Sequence, residues 1–296
     1  MTAAPVSLER LNQASLAEFV SVLGAIFEHA PWAAEAAAAQ RPFATVADLH
    51  AAMLAAVEAR PQAERIAFLR GHPDLAGKAA RAGEMAPASV SEQAGLGLDR
   101  LSDAEYDRFQ SLNAAYAGKF GFPFIVCVRR QTRDAILDSY APRLANDAEA
   151  ELSRAMAEIG HITRLRLVEA VEGPGAPKTA GRLSTHVLDT AHGAPAAGVR
   201  IELFERGASA AAKLLEAVTN ADGRTDAPLI SGRPLRAGRY ELVFHVGDYF
   251  RAKGLALPEF PFMDVVSIRF GISEPEGHYH VPLVATPWSS ATYRGS

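Results

Sequence analysis

The sequence predicts a multidomain protein, an all-α half followed by an all-β sandwich, and three observations predict it. Apolar residues recur at steps of three and four through the first half, a glycine- and proline-rich stretch interrupts the chain, and beyond it the apolar period drops to two. At 296 residues there is room for two domains of ordinary size.

Over 7–28, Leu8, Leu11, Leu16, Phe19, Val20, Leu23, Ile26 and Phe27 follow the spacing of one helix face, which predicts a single helix there. Thr45-Val46-Ala47-Asp48 reads as a capping box opening a second helix, carried by Leu49, Met53, Leu54 and Val57 as far as Pro61. Ser102-Asp103-Ala104-Glu105 is another, opening a helix through Tyr106, Phe109, Leu112 and Tyr116. Helices over 135–144 and 149–168 complete the half, and the run 122–128 stays apolar and extended. Glu172-Gly173-Pro174-Gly175-Ala176-Pro177 cannot continue a helix, so the boundaries are 1–172, a flexible linker at 173–181, and 182–296. Strands are predicted over 183–188, 199–204, 240–246, 265–270 and 280–284, with turns at Asn220-Ala221-Asp222-Gly223 and 195–198.

Composition narrows the function. The chain is 49% hydrophobic and 22% charged, with 30 Lys and Arg against 34 Asp and Glu and a net charge of −4, which argues against a nucleic-acid partner. No apolar run approaches a membrane span, and no basic segment followed by an apolar one opens the chain, so a cytoplasmic protein without a membrane partner is expected. The single Cys127 excludes an internal disulfide and sits in an apolar run as a core residue.

Three stretches of the second half carry its chemistry: Leu183-Ser184-Thr185-His186-Val187-Leu188-Asp189, Asn220-Ala221-Asp222-Gly223-Arg224, and His278-Tyr279-His280-Val281-Pro282-Leu283 with the terminal Tyr293-Arg294-Gly295-Ser296. Over 182–296 they resemble the 5-hydroxyisourate hydrolases, the enzyme branch of the transthyretin (prealbumin) family, whose closing Tyr-Arg-Gly-Ser the hormone-carrying transthyretins lack. Opening a cyclic amide requires water deprotonated near neutral pH, a task for imidazole. The resemblance implies that His186 and His280 lie together, one as general base and the other holding the water or relaying a proton, with their roles undivided. Arg224 would hold the anionic substrate or the oxyanion. Ser296 would add a hydroxyl and the terminal carboxylate, and Tyr293 a substrate contact. Taken singly, a strand histidine is more often structural and Arg224 could be a solvated turn residue; their joint occurrence in this order favours a site. His278 shares a strand face with His280, so a metal pair is conceivable, but no Cys or acidic cluster completes a ligand set and no metal is expected. His245 reads as structural or solvated. The family also implies a homo-oligomer, most simply a tetramer through the β domain, since such sandwiches place sites at subunit contacts.

The first half contains Phe27-Glu28-His29-Ala30-Pro31-Trp32, Gly71-His72-Pro73-Asp74-Leu75-Ala76-Gly77-Lys78, Ser91-Glu92-Gln93-Ala94-Gly95-Leu96, Leu112-Asn113-Ala114-Ala115-Tyr116 and Phe120-Gly121-Phe122-Pro123-Phe124-Ile125. Over about 8–168 these resemble the decarboxylases of 2-oxo-4-hydroxy-4-carboxy-5-ureidoimidazoline (OHCU). That substrate carries its own electron sink, a C=N group next to the carboxylate-bearing carbon, so no cofactor is expected. The protein must supply a base, polar contacts that orient the carboxylate, and a proton for one face of the product. By resemblance His72 is the acid or base, Glu92 a second catalytic residue, and Pro73, Ser89, Phe124, Ile125 and an arginine hold the substrate. Arg166 is preferred to Arg164 because the family tends to keep the second of such a pair. Competing structural readings remain: Ser89-Val90-Ser91-Glu92 also fits a capping box, His72 could end a helix, and Asp74 with Lys78 could be an exposed ion pair. His29 and His50 read as surface or helix-packing residues, and His161 has no assigned role.

Together the two resemblances predict a bifunctional enzyme of urate breakdown acting on two small molecules. The rivals are a ligand-binding sandwich with a helical interaction domain, and an enzyme retaining one activity.

Overall fold

A computed structural model describes residues 4–77, 87–208 and 210–295. The chain divides into two compact units, one formed by the chain up to Arg129 with Ile136–Thr179, the other by Arg130–Ala135 with the chain from Ala180 onward.

Among the described residues the first unit is helical. The expected helix over 7–28 is two, α1 (Leu8–Gln13) and α2 (Leu16–Leu23). The break follows from Ser15, whose hydroxyl caps the Glu18 amide while Glu18 returns a bond to the Ser15 amide, so a new N-terminus is stapled within one apolar period. α3 (Pro31–Ala38) starts with proline at its first position and buries Ala33, Ala34, Ala37 and Ala38, small side chains that let α2 and α4 (Val46–Glu58) pack closely on it. α5 (Gln62–Arg70) and α6 (Pro87–Ala94) follow, neither expected from the sequence. α7 (Asp103–Phe120), α8 (Arg133–Leu144) and α9 (Ala148–Ala170) extend the expected helices by a few residues at their ends. The expected caps at Thr45 and Ser102 are both formed.

α9 packs against α2 and α4. Its Glu151 is buried at 0% exposure, and accepts from Arg143 Nε at 2.7 Å, from Asn146 Nδ2 at 2.7 Å and from the Tyr116 hydroxyl. Arg143 also donates to the Ile125 carbonyl at 2.7 Å and lies 4.2 Å over the Phe124 ring, which stacks on Tyr140 at 3.8 Å. The extended run 122–128 is therefore fixed by a satisfied buried ion pair as well as by apolar packing. Cys127 is a buried free thiol whose backbone amide donates to Glu158.

The linker starts firmly. Strand β1 (Val6–Ser7) pairs in parallel with β2 (Val171–Glu172), and the Val46 amide donates to the Pro174 carbonyl at 2.9 Å. The first residues of the expected flexible stretch are thus held by hydrogen bonds to the helical unit.

The second unit is a sandwich of two four-stranded sheets. One has the order β10 (Ser290–Thr292), β9 (His278–Ala285), β3 (Arg182–Asp189), β4 (Ala194–Pro195); the other β6 (Ala211–Val218), β5 (Arg200–Arg206), β7 (Gly238–Phe244), β8 (Val266–Ile272). Leu183, Thr185 and Val187 alternate inward along β3, so Ser184, His186 and Leu188 share the opposite face. β9 runs parallel to β3 with Ser184 opposite His280 and Arg182 opposite His278. A short helix α10 (Val246–Ala252) buries Tyr249 and Phe250, and the Tyr249 hydroxyl donates to Asp189 at 2.9 Å.

Candidate active sites

In the helical unit five segments converge on a small cavity. α6 presents Ser89, Glu92 and Gln93 on one face by their spacing of three and four, α9 brings Arg166 and Ile162, and the run after α7 brings Phe124 and Ile125. His72 and Pro73 enter from the end of α5, and Glu28 from the turn after α2.

The loop bearing His72 is held by three amide side chains. Gln93 accepts from the Ala76 amide at 3.0 Å, Gln110 donates to the Ala76 carbonyl at 3.1 Å, and Asn113 donates to the Leu75 carbonyl at 2.8 Å. They secure Ala76 at φ +52, a backbone region that alanine seldom occupies. This explains why Gln93 and Asn113 are buried at 4% each. His72 Nδ1 lies 3.2 Å from the Phe68 carbonyl, which can only accept, so the neutral ring carries its hydrogen on Nδ1 and its lone pair on Nε2. Burial holds the His72 pKa below the ordinary histidine value, while the Glu28 charge works in the other direction.

Arg166 is gripped on two sides. Its Nε and Nη2 donate to Glu92 at 3.1 and 2.8 Å, Nη1 and Nη2 both approach Glu28 Oε2 at 3.4 Å, and Nη2 donates to the Ser89 hydroxyl at 3.3 Å. Ser89 in turn donates to Glu28 Oε2 at 2.6 Å. Burial disfavours the arginine charge, but the hydrogen bonds and charges of Glu92 and Glu28 outweigh it and raise the pKa. The competing reading of Ser89-Val90-Ser91-Glu92 as a capping box is not met: Ser89 lies inside α6, and Glu92 pairs with Arg166.

The structure thus brings together His72, Pro73, Ser89, Glu92, Phe124, Ile125 and Arg166. Arg164 lies elsewhere, where its charge acts on His50; His50 bonds to Thr163 at 2.9 Å, and burial first, then Arg164, pushes its pKa down to about 4. Glu28 belongs to the site and was not expected there. Its Oε2 faces Ser89 and Arg166, while Oε1 is buried without a hydrogen-bond partner among the described residues, 3.8 Å from Nε2 of the exposed His29. Lys78 lies outside the described residues, so the expected Asp74 pair with it does too.

In the β unit the site is built on the outer face of β3 and β9. His186 and Ser184 alternate along β3, His280 and His278 along β9, and an isolated bridge sets Arg224 beside His186. The turn delivering Arg224 is closed by Asn220, whose side chain accepts from the Asp222 amide at 3.1 Å and the Arg224 amide at 3.2 Å. Gly223 makes the docking possible: its φ is +71, and a Cβ would stand 2.3 Å from the Val187 carbonyl. The Val187 amide donates to the Gly223 carbonyl at 2.8 Å.

Burial, then the Arg224 charge, lowers the His186 pKa, although a backbone hydrogen bond to Asp222 opposes this. His186 Nε2 is buried with no hydrogen-bond partner among the described residues. The His280 pKa is also lowered, first by burial and then by Arg224, His186, His278 and Arg182. Both rings are therefore held neutral beside a fixed cation, the state a general base needs.

The chain end reaches His280. The Gly295 amide donates to the His280 carbonyl at 2.9 Å, and a Cβ on Gly295 would lie 2.5 Å from the imidazole Cδ2, so only glycine fits. Arg294 stacks 4.8 Å over Tyr279. Tyr293 is 60% exposed, and Ser296 lies outside the described residues. Ser184, Asp222 and Gly295 join the site without having been singled out for it; Ser184 could have been found from its i, i+2 relation to His186. His245 is engaged structurally, between Arg200 and Glu202 at 2.8 Å each.

The chain resembles known proteins in both halves. The OHCU decarboxylase family model matches residues 12–168, and the HIUase/Transthyretin family model matches residues 183–295. A 5-hydroxyisourate hydrolase of Deinococcus radiodurans is 58% identical over 114 residues, 38% of this chain and 95% of that protein. A 2-oxo-4-hydroxy-4-carboxy-5-ureidoimidazoline decarboxylase of Haloferax volcanii is 39% identical over 164 residues, 55% of this chain and 95% of that protein. A crystal structure of (S)-allantoin synthase superposes with a TM-score of 0.53 at 36% identity, covering 98% of this chain and 100% of the other.

Proposed function

The chain belongs to the OHCU decarboxylase family through residues 12–168 and to the HIUase/transthyretin family through residues 183–295, and from this we propose a bifunctional enzyme of urate breakdown. The β unit hydrolyses 5-hydroxyisourate to OHCU, and the helical unit decarboxylates OHCU to (S)-allantoin. The observation that supports both activities is a neutral imidazole beside a fixed arginine, His72 with Arg166 and the His186/His280 pair with Arg224.

In the β unit, His186 or His280 takes a proton from water, which adds to the lactam-like carbonyl. Arg224 balances the oxyanion, the C–N bond breaks, and the departing nitrogen receives the proton. Gly295 brings the chain end to His280, and in this reading Tyr293 touches substrate and Ser296 adds polar groups.

In the helical unit, Arg166 and Ser89 orient the substrate carboxylate between Pro73, Phe124 and Ile125. The C–C bond breaks, carbon dioxide leaves, and the electron pair moves into the adjacent C=N. His72 Nε2 accepts the substrate hydroxyl proton and a proton returns to one face of the carbon, with Glu92 holding the arginine and the substrate's polar edge. The carboxylate's electron sink is its own ring, so these steps need only acid–base groups.

We place the enzyme in the cytoplasm, which suits the buried reduced thiol of Cys127. Homo-oligomers, most simply tetramers through the β unit, are part of the same reading, because the histidine face is the outer side of its sheet and a second copy there would exclude water from it. The test supplies fresh 5-hydroxyisourate and follows two signals, loss of its absorbance and release of carbon dioxide. Acceleration of both over buffer supports the proposal, and buffer rates for either overturn that half of it.

A further inference from the structure

The outer face of β3 and β9 carries a third histidine to which the hydrolytic steps give no task. His278 is exposed, whereas Ser184, which stands opposite His280 in the strand register, is buried at 9%. The Ser184 hydroxyl lies 3.0 Å from His280 Nδ1 and 3.2 Å from His278 Nε2. A hydroxyl has one hydrogen to donate, so it donates to one ring and accepts from the other. The two imidazoles cannot choose their tautomers independently.

Two arrangements satisfy the geometry. In the first, His280 donates its Nδ1 hydrogen to Ser184, and Ser184 donates to an unprotonated His278 Nε2. His280 Nε2 then holds a lone pair and can act as base. In the second, His278 donates from Nε2 to Ser184, Ser184 donates to His280 Nδ1, and the His280 hydrogen moves to Nε2. A doubly protonated His278 permits only the second.

We propose that Ser184 is a positioning residue of the hydrolase, which fixes the tautomer of His280 and transmits to it the protonation state of His278. The proposal rests on the hydrolase reading, with His280 Nε2 as its acid–base nitrogen. The charged and titratable groups bearing on His280 are Arg224, His186, His278 and Arg182, all imidazoles or cations. The two arginines can only donate, and the Ser184 hydroxyl at 3.0 Å is the group placed to accept the Nδ1 hydrogen.

The experiment uses the full chain as wild type, Ser184→Ala, Ser184→Thr and His278→Ala. It combines the pH profile of kcat/KM for 5-hydroxyisourate with ¹⁵N spectra of the histidine rings. Ser184→Ala should lower kcat/KM on the order of tenfold, the worth of one hydrogen bond, and shift His280 toward a mixture of tautomers. Ser184→Thr keeps the hydroxyl and should restore both. His278→Ala removes one of the two partners of the Ser184 hydroxyl, so the balance of His280 tautomers in the ¹⁵N spectra should shift while the contact of Ser184 with His280 remains. Equal rates in the Ala and Thr variants, or a balance of His280 tautomers unmoved in His278→Ala, would overturn the proposal. A wild type that leaves 5-hydroxyisourate untouched defeats the hydrolase reading instead. The ¹⁵N spectra separate the two failures, since unchanged His280 nitrogen shifts in Ser184→Ala refute the positioning role whatever the activity.

Discussion

Arg166 holds both carboxylate oxygens of Glu92, with Nε at 3.1 Å and Nη2 at 2.8 Å, while its other edge faces Glu28. One guanidinium thus keeps two carboxylates together inside the helical unit, and the cavity's shape depends on it.

Arg166→Gln should therefore damage both stability and decarboxylation. Removing the cation leaves Glu28 and Glu92 facing one another without a counter-charge, and breaking a buried pair in this way costs about 3–5 kcal/mol. Arg166→Lys restores charge but not the two-pronged grip, and should recover stability better than rate. Urea unfolding with carbon dioxide release measures both; a Gln variant with wild-type midpoint and rate would show the cluster to be idle.

The chain end gives a sharper steric test. Gly295→Ala places a methyl 2.5 Å from the His280 ring, so the ring must rotate or the tail must lift away. Hydrolysis should fall by about tenfold or more, in keeping with catalytic groups displaced by an ångström, while decarboxylation continues. Deleting 293–296 should have the same effect. A truncated chain with normal absorbance loss would remove the tail from the mechanism.

Much of this arrangement is legible in the sequence, and the exceptions have physical causes. The capping boxes at Thr45 and Ser102 are local, so their residues suffice to identify them. Ser15 opens the same kind of box, but the apolar period runs through it and hides the break. β6 is spelled Ala-Ala-Lys-Leu-Leu-Glu-Ala-Val, a helix-favouring composition, and is a strand because it pairs with β5. Glu28 follows two apolar residues in a helical pattern and resembles a solvated acid. Only the fold buries it, at 6% exposure, against a residue 138 positions away. Ser184 lies within the His186 motif, but its link to His278 and His280 depends on a parallel pairing that sequence does not reveal.

The pH dependence of hydrolysis follows from the direction of two shifts. Burial first, then Arg224, holds the His186 pKa below its ordinary value, and burial and Arg224 do the same at His280. A base is active above its pKa, so activity should be present at neutral pH and lost as pH falls through the lowered values. Arg224→Gln removes one lowering influence, both pKa values rise, and the acid limb should move to higher pH. Added salt should shrink the difference, because Arg224 is exposed. An acid limb that stays in place in the variant would show that Arg224 does not tune the histidines.

The central claim is that one chain performs both steps in separate sites, and product handedness tests it most directly. Fresh 5-hydroxyisourate is given to the wild type and to His72→Gln, with circular dichroism recorded at the allantoin stage. The account predicts (S)-allantoin from the wild type. For His72→Gln it predicts a wild-type loss of 5-hydroxyisourate absorbance followed by racemic product, since His72 and the β-unit histidines belong to different compact units and act additively. Racemic allantoin from the wild type, or undiminished (S)-allantoin from His72→Gln, would contradict it.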